Sequence, residues 1–306
     1  MEGLKIYKDV KLNDPVMVAG WPGMGSVALG VVNYMRRKLP AVRFAELKID
    51  PMSVLDSVAV EDGFAFLPKT PRNTFYYTRD PDMIIFEGEA QVPGPDGIRI
   101  VDKVLSTAAT YGVKKLYTGA AFPMPISHKD RPELYGAAND KVLLSSLSAF
   151  GVKTMDSGHI SGLNGLVIGF ARQKNIDAIS ILATMPHYAI SLPNPRASGA
   201  IIDLLARMIN FKIDMRALDL YVKDMDEKMS LIEDKVKDVL TIEHEEPESY
   251  PVDKKIPEYI MEKIEKMFHE VRGDRTKAAT LKKELDRWDL YHLFEDRFLD
   301  LFRENR

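Results

Sequence analysis

The sequence predicts an α/β fold, a mostly parallel sheet flanked by helices, followed by a C-terminal helical extension. Three observations predict it. Short apolar runs alternate with segments of helical period over residues 1–214. Ile176 to Thr184 is almost wholly apolar, as in a strand buried on both faces. From Met215 the apolar residues change to a heptad spacing.

In chain order, Val16 to Ala19 reads as a strand ending at Gly20. Ser26 to Leu39 reads as a helix that Ser26 is placed to cap. Val42 to Ile49, Thr74 to Thr78 and Met83 to Phe86 read as strands. Ile98 to Tyr111 reads as a helix closed by Gly112. Val113 to Thr118 returns as a strand, Asp140 to Phe150 is a helix stopped by Gly151, and Ala197 to Phe211 is a helix introduced by Pro193-Asn194-Pro195.

The extension is set off by charge and pattern. Residues 1–214 carry 24 Lys/Arg and 21 Asp/Glu, whereas residues 215–306 carry 18 and 24. The expected division is therefore an α/β domain over 1–214 and a helical extension over 215–306. Within the extension, Met215, Leu218, Val222, Met225, Met229, Ile232, Val236 and Val239 step by three and four residues, an a/d seam over 215–240. At 1.5 Å per residue that helix is roughly 37 Å long. Pro247, Pro251 and Pro257 mark a linker over 241–257. Two amphipathic segments follow within 258–302, and Phe298, Leu299, Leu301 and Phe302 of the second suit packing on the chain's own core or, as the alternative, an apolar contact surface. The seam needs a cover, and its 3.5-residue period favours a helix, from this chain or a second copy.

Composition excludes several functions. A chain of 306 residues with 45% hydrophobic residues buries a substantial core. A net charge of −3 argues against a general nucleic-acid binder. The absence of cysteine removes disulfides and thiolate metal sites, and suits a reducing compartment. No apolar run approaches the ~20 residues of a membrane span, and Met1 to Val10 lack the pattern of a signal peptide. The expectation is a cytoplasmic protein with no membrane or nucleic-acid partner.

Three places are candidates for chemistry. Gly20-Trp21-Pro22-Gly23-Met24-Gly25-Ser26 joins a strand to a helix, where open sheets place ligands and where backbone N–H groups can meet an anion. Gly23, Gly25 and Ala28 fit a loose dinucleotide fingerprint, with Glu46 as the acid, but a tight βα turn explains the same glycines. Gly158-His159-Ile160-Ser161-Gly162-Leu163-Asn164-Gly165 forms a polar cradle before an apolar segment. The same residues also suit a turn that caps the following helix. Glu87 and Glu89 share a face at a strand end, as a cation site or solvated carboxylates would. The six histidines show no metal spacing, and no cofactor or metal is expected. No nucleophile–base pair is evident, so catalysis is not expected.

Gly20-Trp21-Pro22 with Gly25, Asp82 to Gln91 (DMIIFEGEAQ), Tyr111-Gly112-Val113, Gly158 to Gly165 (GHISGLNG) and Ala183 to Ser198 (ATMPHYAISLPNPRAS) occur in an order that resembles the PAC2 family, named for the proteasome assembly chaperones. The resemblance covers roughly residues 10–214. It implies a fold similar to the nucleoside phosphorylases, homo-oligomers, and in some members the assembly or binding of proteasome α-subunits. Members that dock on proteasomes end in a hydrophobic–Tyr–any-residue tripeptide. This sequence ends Glu304-Asn305-Arg306, so that docking route is not expected. Two functions follow: an oligomeric assembly or interaction factor, or a phosphate- or nucleotide-binding enzyme, ligase- or phosphorylase-like, working through the Gly-rich loops.

Overall fold

Two of the expected strands lie too close in sequence for a crossover, and the sheet is accordingly mixed rather than mostly parallel. The computed structural model describes residues 3–50, 54, 57–242, 258–273, 277–287, 290, 294, 297, 298 and 301. Its strands are β1 (Leu4–Ile6), β2 (Val16–Gly20), β3 (Val42–Leu47), β4 (Ala59–Glu61), β5 (Phe64–Phe66), β6 (Asn73–Arg79), β7 (Asp82–Gly88), β8 (Lys115–Met124), β9 (Leu134–Ala138), β10 (Lys153–Thr154) and β11 (Asp177–Pro186). Its helices are α1 (Val27–Lys38), α2 (Gly94–Thr110), α3 (Lys141–Ser146), α4 (Leu163–Ala171), α5 (Pro195–Ile209), α6 (Arg216–Ile242), α7 (Glu258–Gly273) and α8 (Ala278–Arg287).

Nine strands form one sheet in the order β1-β3-β6-β7-β2-β8-β11-β9-β10, and β4 and β5 form a separate hairpin. The centre, β7-β2-β8-β11, is parallel. The flanks are antiparallel at β1/β3, β3/β6, β6/β7 and β9/β11. Only two residues, Asp80 and Pro81, separate β6 from β7. Such a connection closes a hairpin and cannot make the dozen-residue crossover that parallel pairing needs.

The sheet carries a core on each face. On one, α2 and α4 cover Phe44, Phe75, Phe86 and Trp21. On the other, α1 and α5 cover Val18, Ile85, Ile181 and Met185. The parallel strands end along one rim, at Gly20, Gly88, Met124 and Pro186. Several expected signals act locally. Asp140 accepts hydrogen bonds from the Val142 and Leu143 N–H groups at the start of α3, and Gly112 follows α2 with φ +82°. Ser26 does not cap α1; it has φ 47° and its side chain makes no capping bond.

The chain folds as two compact units, Met1–Glu243 and His244–Arg306. The long helix α6 thus counts with the α/β unit. Its seam is covered there: Leu218 joins the core with α5, while Met225 and Met229 pack on Tyr188, Ala189 and Leu192. Val222 and Ile232 are half-buried. The Val236 side chain, Phe302 and the linker from residue 243 to 257 lie outside the described residues. In the second unit, Phe298 is buried and Leu301 partly buried, in a core with Ile264, Phe268, Leu281 and Leu285. These two residues therefore serve their own unit.

A polar clasp fixes the far half of α6. Glu233 lies 2.6 Å from Nδ1 of the buried His128 and accepts from the Tyr188 hydroxyl at 2.9 Å and the Ser127 hydroxyl at 3.1 Å. Ser230 Oγ lies 3.0 Å from His128 Nε2, and Arg196 pairs with Asp226 at 2.5 Å. Ser230–His128–Glu233 has the contacts of a hydrolytic relay, but Ser230 sits mid-helix, where the backbone N–H groups are spent in the helix ladder. The cluster acts as a fastening.

Burial, then the hydrogen bond to Glu233, pushes the Tyr188 phenol up from 10.0 to about 12. Burial alone does the same for Tyr117. Between these values the unfolded chain loses the proton first, so both groups stabilise the fold below pH 10 and lose that contribution as pH rises toward 12. Alkaline melting curves should show falling stability across this window. Tyr188→Phe should flatten the fall without abolishing it, since Tyr117 remains.

Candidate functional site

Trp21 is fully buried at the end of β2. Its ring packs on Phe86 at 4.8 Å between centroids, and Phe86 packs on Phe75 at 4.8 Å. The ring occupies the space above Gly88, where a Cβ would lie 2.2 Å from it. The Trp21 backbone is held by one side chain from α4: its N–H donates to Asn164 Oδ1 at 2.9 Å, and its carbonyl accepts from Asn164 Nδ2 at 3.1 Å. Asn164 is itself buried. The two Gly-rich loops, far apart in sequence, are thereby joined at one rim of the sheet.

A second tie runs between them. Gln91, after β7, donates to the Pro22 carbonyl at 2.5 Å and accepts from the Leu163 N–H at 2.9 Å. The start of α4 is therefore capped by Gln91, and Ser161 plays no capping part. Between these loops lies an open cleft of about 1030 Å³. Gly23, Gly158, His159, Ser161 and Asn164 line it, with Met24, Phe122, Pro123, Ile160, Leu166 and Leu182 as its apolar walls. No Asp, Glu, Lys or Arg is among its lining residues.

The other expected residues lie elsewhere. Gly20 packs beneath Ala28 of α1, and Gly165 packs against Ile160. Gly25 and Ser26 line a smaller hollow of about 370 Å³ between α1, α5 and α6. Gly25 is required by its φ of +60° and by Met185, whose sulfur would lie 2.7 Å from a Cβ. Glu87 pairs with Arg36 at 2.6 Å, held by charge rather than by an aligned hydrogen bond, and Glu89 pairs with Arg72 at 3.0 Å. Neither carboxylate lines the cleft, and no cluster among the described residues suits a metal ion. Glu46, on β3, accepts from the Tyr7 hydroxyl at 3.1 Å, far from the role of a ribose ligand.

Several of the loop amides are already engaged within the fold. The N–H groups of Trp21, Gly25 and Ser26 already donate to Asn164, the Ile190 carbonyl and the Gly23 carbonyl. In the second loop, Leu163 N–H donates to Gln91, and Gly165 and Leu166 donate to the Gly162 carbonyl. What the cleft does offer is backbone of a different kind. Strand β8 pairs with β2 only through Thr118, then continues to Met124 with β11 as its one strand partner. Ala120 to Pro123, on this half-paired stretch, line the cleft. Sequence reading missed this edge because it depends on β2 stopping short, which the turn at Trp21 enforces.

Comparison with known proteins agrees with this architecture. The PAC2 family model matches residues 17–233. An uncharacterised protein of Methanocaldococcus jannaschii is 26% identical over 250 residues, spanning 79% of this chain and 92% of its own length. Among solved structures, PbaB of Pyrococcus furiosus, an archaeal proteasome activator, has a TM-score of 0.64 at 24% identity, covering 75% of this chain and 98% of its own. PbaA of the same organism, an archaeal homologue of proteasome-assembly chaperone, has a TM-score of 0.61 at 17% identity, covering 78% and 95%. These structural likenesses speak for the fold. No helix among the described residues is long and apolar enough to cross a membrane.

Asn164→Leu should leave the buried Trp21 N–H without its acceptor. Urea unfolding is expected to show a loss of about 1–3 kcal/mol. A loss under a few tenths would mean that the Trp21 turn holds its shape without Asn164.

Proposed function

The chain belongs to the PAC2 family, and on that premise we propose that it is an interaction factor of the assembly-chaperone kind, cytoplasmic and homo-oligomeric, with proteasome α-subunits as its partner class. The observation that carries this reading is the cleft. Its lining is mostly apolar and holds no Asp, Glu, Lys or Arg, and one side offers a strand edge. Those are the features that take an extended polypeptide segment, main chain to main chain with side chains in apolar pockets. They offer less for chemistry, which needs convergent charged or nucleophilic groups: no Asp, Glu, Lys or Arg lines the cleft beside His159 and Ser161. The partner class comes from the similarity to PbaB and PbaA, one an activator of the proteasome and the other a homologue of its assembly chaperones.

The enzyme reading, a phosphorylase-like fold with phosphate or nucleotide in the cleft, has no Lys or Arg among the lining residues to support it. Purified proteasome α-subunits should be retained on the immobilised full-length protein. Leu166→Glu, which places a carboxylate on the exposed cleft face of α4, should reduce retention at least tenfold. Equal retention by both proteins would remove the cleft from this role. Turnover of ATP or a nucleoside with phosphate, abolished by Asn164→Ala, would replace the reading with the enzymatic one.

A further inference from the structure

The hairpin of β4 and β5 is the part of the α/β unit that its own core leaves uncovered. It is a rigid arm. Glu61 pairs with Phe64 across a two-residue turn, and Asp62 and Gly63 have φ of 49° and 81°, the type I′ geometry whose twist matches paired strands. Its cross-strand partners sort the side chains onto two faces. Phe64 and Phe66 share one, with rings stacked at 6.5 Å. Val60 and Ala65 share the other, and strand alternation adds Val58 and Leu67 to it.

Neither face is buried. Phe64 is 72% exposed, Leu67 68%, Val60 62%, Val58 57% and Phe66 36%. None of the five joins a hydrophobic cluster among the described residues. Together they leave on the order of 500 Å² of apolar surface in water, at the upper end of the largest patch on a typical monomer, about 300–600 Å². A lone two-stranded hairpin is at best marginally stable in water, so an arm apolar on both faces calls for a cover.

The same molecule carries a matching receiver on the same rim. The hairpin leaves the sheet between the end of β3 at Leu47 and the start of β6 at Asn73, which is paired with Gly88 at the end of β7. The cleft opens at that same end of the parallel strands. It is mostly apolar, holds no Asp, Glu, Lys or Arg, and at about 1030 Å³ has room for several side chains. Strand β5 and the stretch of β8 beyond Thr118 each have a side with no strand partner, so the main chains complement each other as the side chains do.

We propose that the β4–β5 hairpin of a second copy of this chain occupies the cleft, with Phe64 and Phe66 against Phe122, Ile160 and Leu166 and one hairpin edge on β8. This deepens, and rests on, the reading of the cleft as a receiver of polypeptide segments. Counting both sides, one such contact buries on the order of 1000 Å², the lower bound for a specific interface. A twofold pair would form two of them, because arm and cleft share a rim. The self-contact would also keep the cleft closed until a partner segment displaces the arm.

The chain has no cysteine, so cysteine pairs test this directly in the full-length protein. Phe64→Cys and Leu166→Cys, made separately, mixed and oxidised, should form a disulfide-linked heterodimer. Phe64→Cys mixed with Val142→Cys, a more exposed position on α3, should not. Absence of the 64–166 product, or equal yield with Val142→Cys, overturns the proposal. In parallel, Phe64→Ser/Leu67→Ser should lower the mass seen by light scattering while leaving the melting curve in place, since both residues lie outside the core. An unchanged oligomer mass also overturns it. If that happens while Leu166→Glu still loses α-subunit retention, this inference falls and the cleft's role as a docking site stands.

Discussion

The clamp on Trp21 is the constraint from which the rest of the rim follows. A fully buried indole at the end of β2 fills the space that glycine leaves at position 88 and stacks into the Phe86–Phe75 pair. Its backbone is closed on both sides by Asn164. A chain held in this way turns sharply away from β8, and β2 ends while β8 continues for six more residues. The unpaired strand edge and the cleft beside it are consequences of that early stop. The clamp has a cost: Trp21 Nε1 and both polar atoms of the buried Asn73 side chain, which all lie near Gly88, make no hydrogen bond. Burial of the ring and its stacking must outweigh those unsatisfied groups.

Much of the fold was legible because strands and helices announce themselves by period. The apolar runs at 16–19, 83–86 and 176–184 lie in β2, β7 and β11 of the parallel centre, and Gly112 and Gly151 end their helices with positive φ. Strand direction was misread where connection length had been left out of account, since the two-residue link at Asp80-Pro81 already required an antiparallel pair. The β4–β5 hairpin was legible too. Asp62-Gly63 between Val58-Ala59-Val60 and Phe64-Ala65-Phe66 is a strong short-range hairpin signal, passed over because the strands are only three residues long.

The site was harder to read for a physical reason. Glycines in a βα turn report that the backbone comes close to something, without saying to what. Here the partners of the Trp21, Gly25 and Ser26 amides are Asn164, 143 residues away from Trp21 in sequence, and the Ile190 and Gly23 carbonyls. Spacing alone cannot distinguish an amide aimed at a phosphate from one already satisfied by a side chain across the fold. The heptad seam of α6 shows the same limit. Its spacing singled out Leu218, Met225 and Met229, which are buried, while their cover proved to be α5 and the turn at residues 187–192 of their own unit.

Parallel α/β sheets place ligands beyond the carboxyl ends of their strands because helices and loops there leave a concavity. This sheet keeps the concavity at the ends of β2, β7, β8 and β11. What the concavity can do depends on its lining, and fold alone does not decide it. Ionic groups that would suit a small charged substrate are drawn aside: Glu87 to Arg36 on α1, Glu89 to Arg72 before β6, and Glu233 into the clasp that fastens α6. The rim is left with largely aliphatic and aromatic walls and an open strand edge. An extended polypeptide brings its own alternating apolar side chains and its own N–H and C=O groups, and so satisfies both features of the cleft at once.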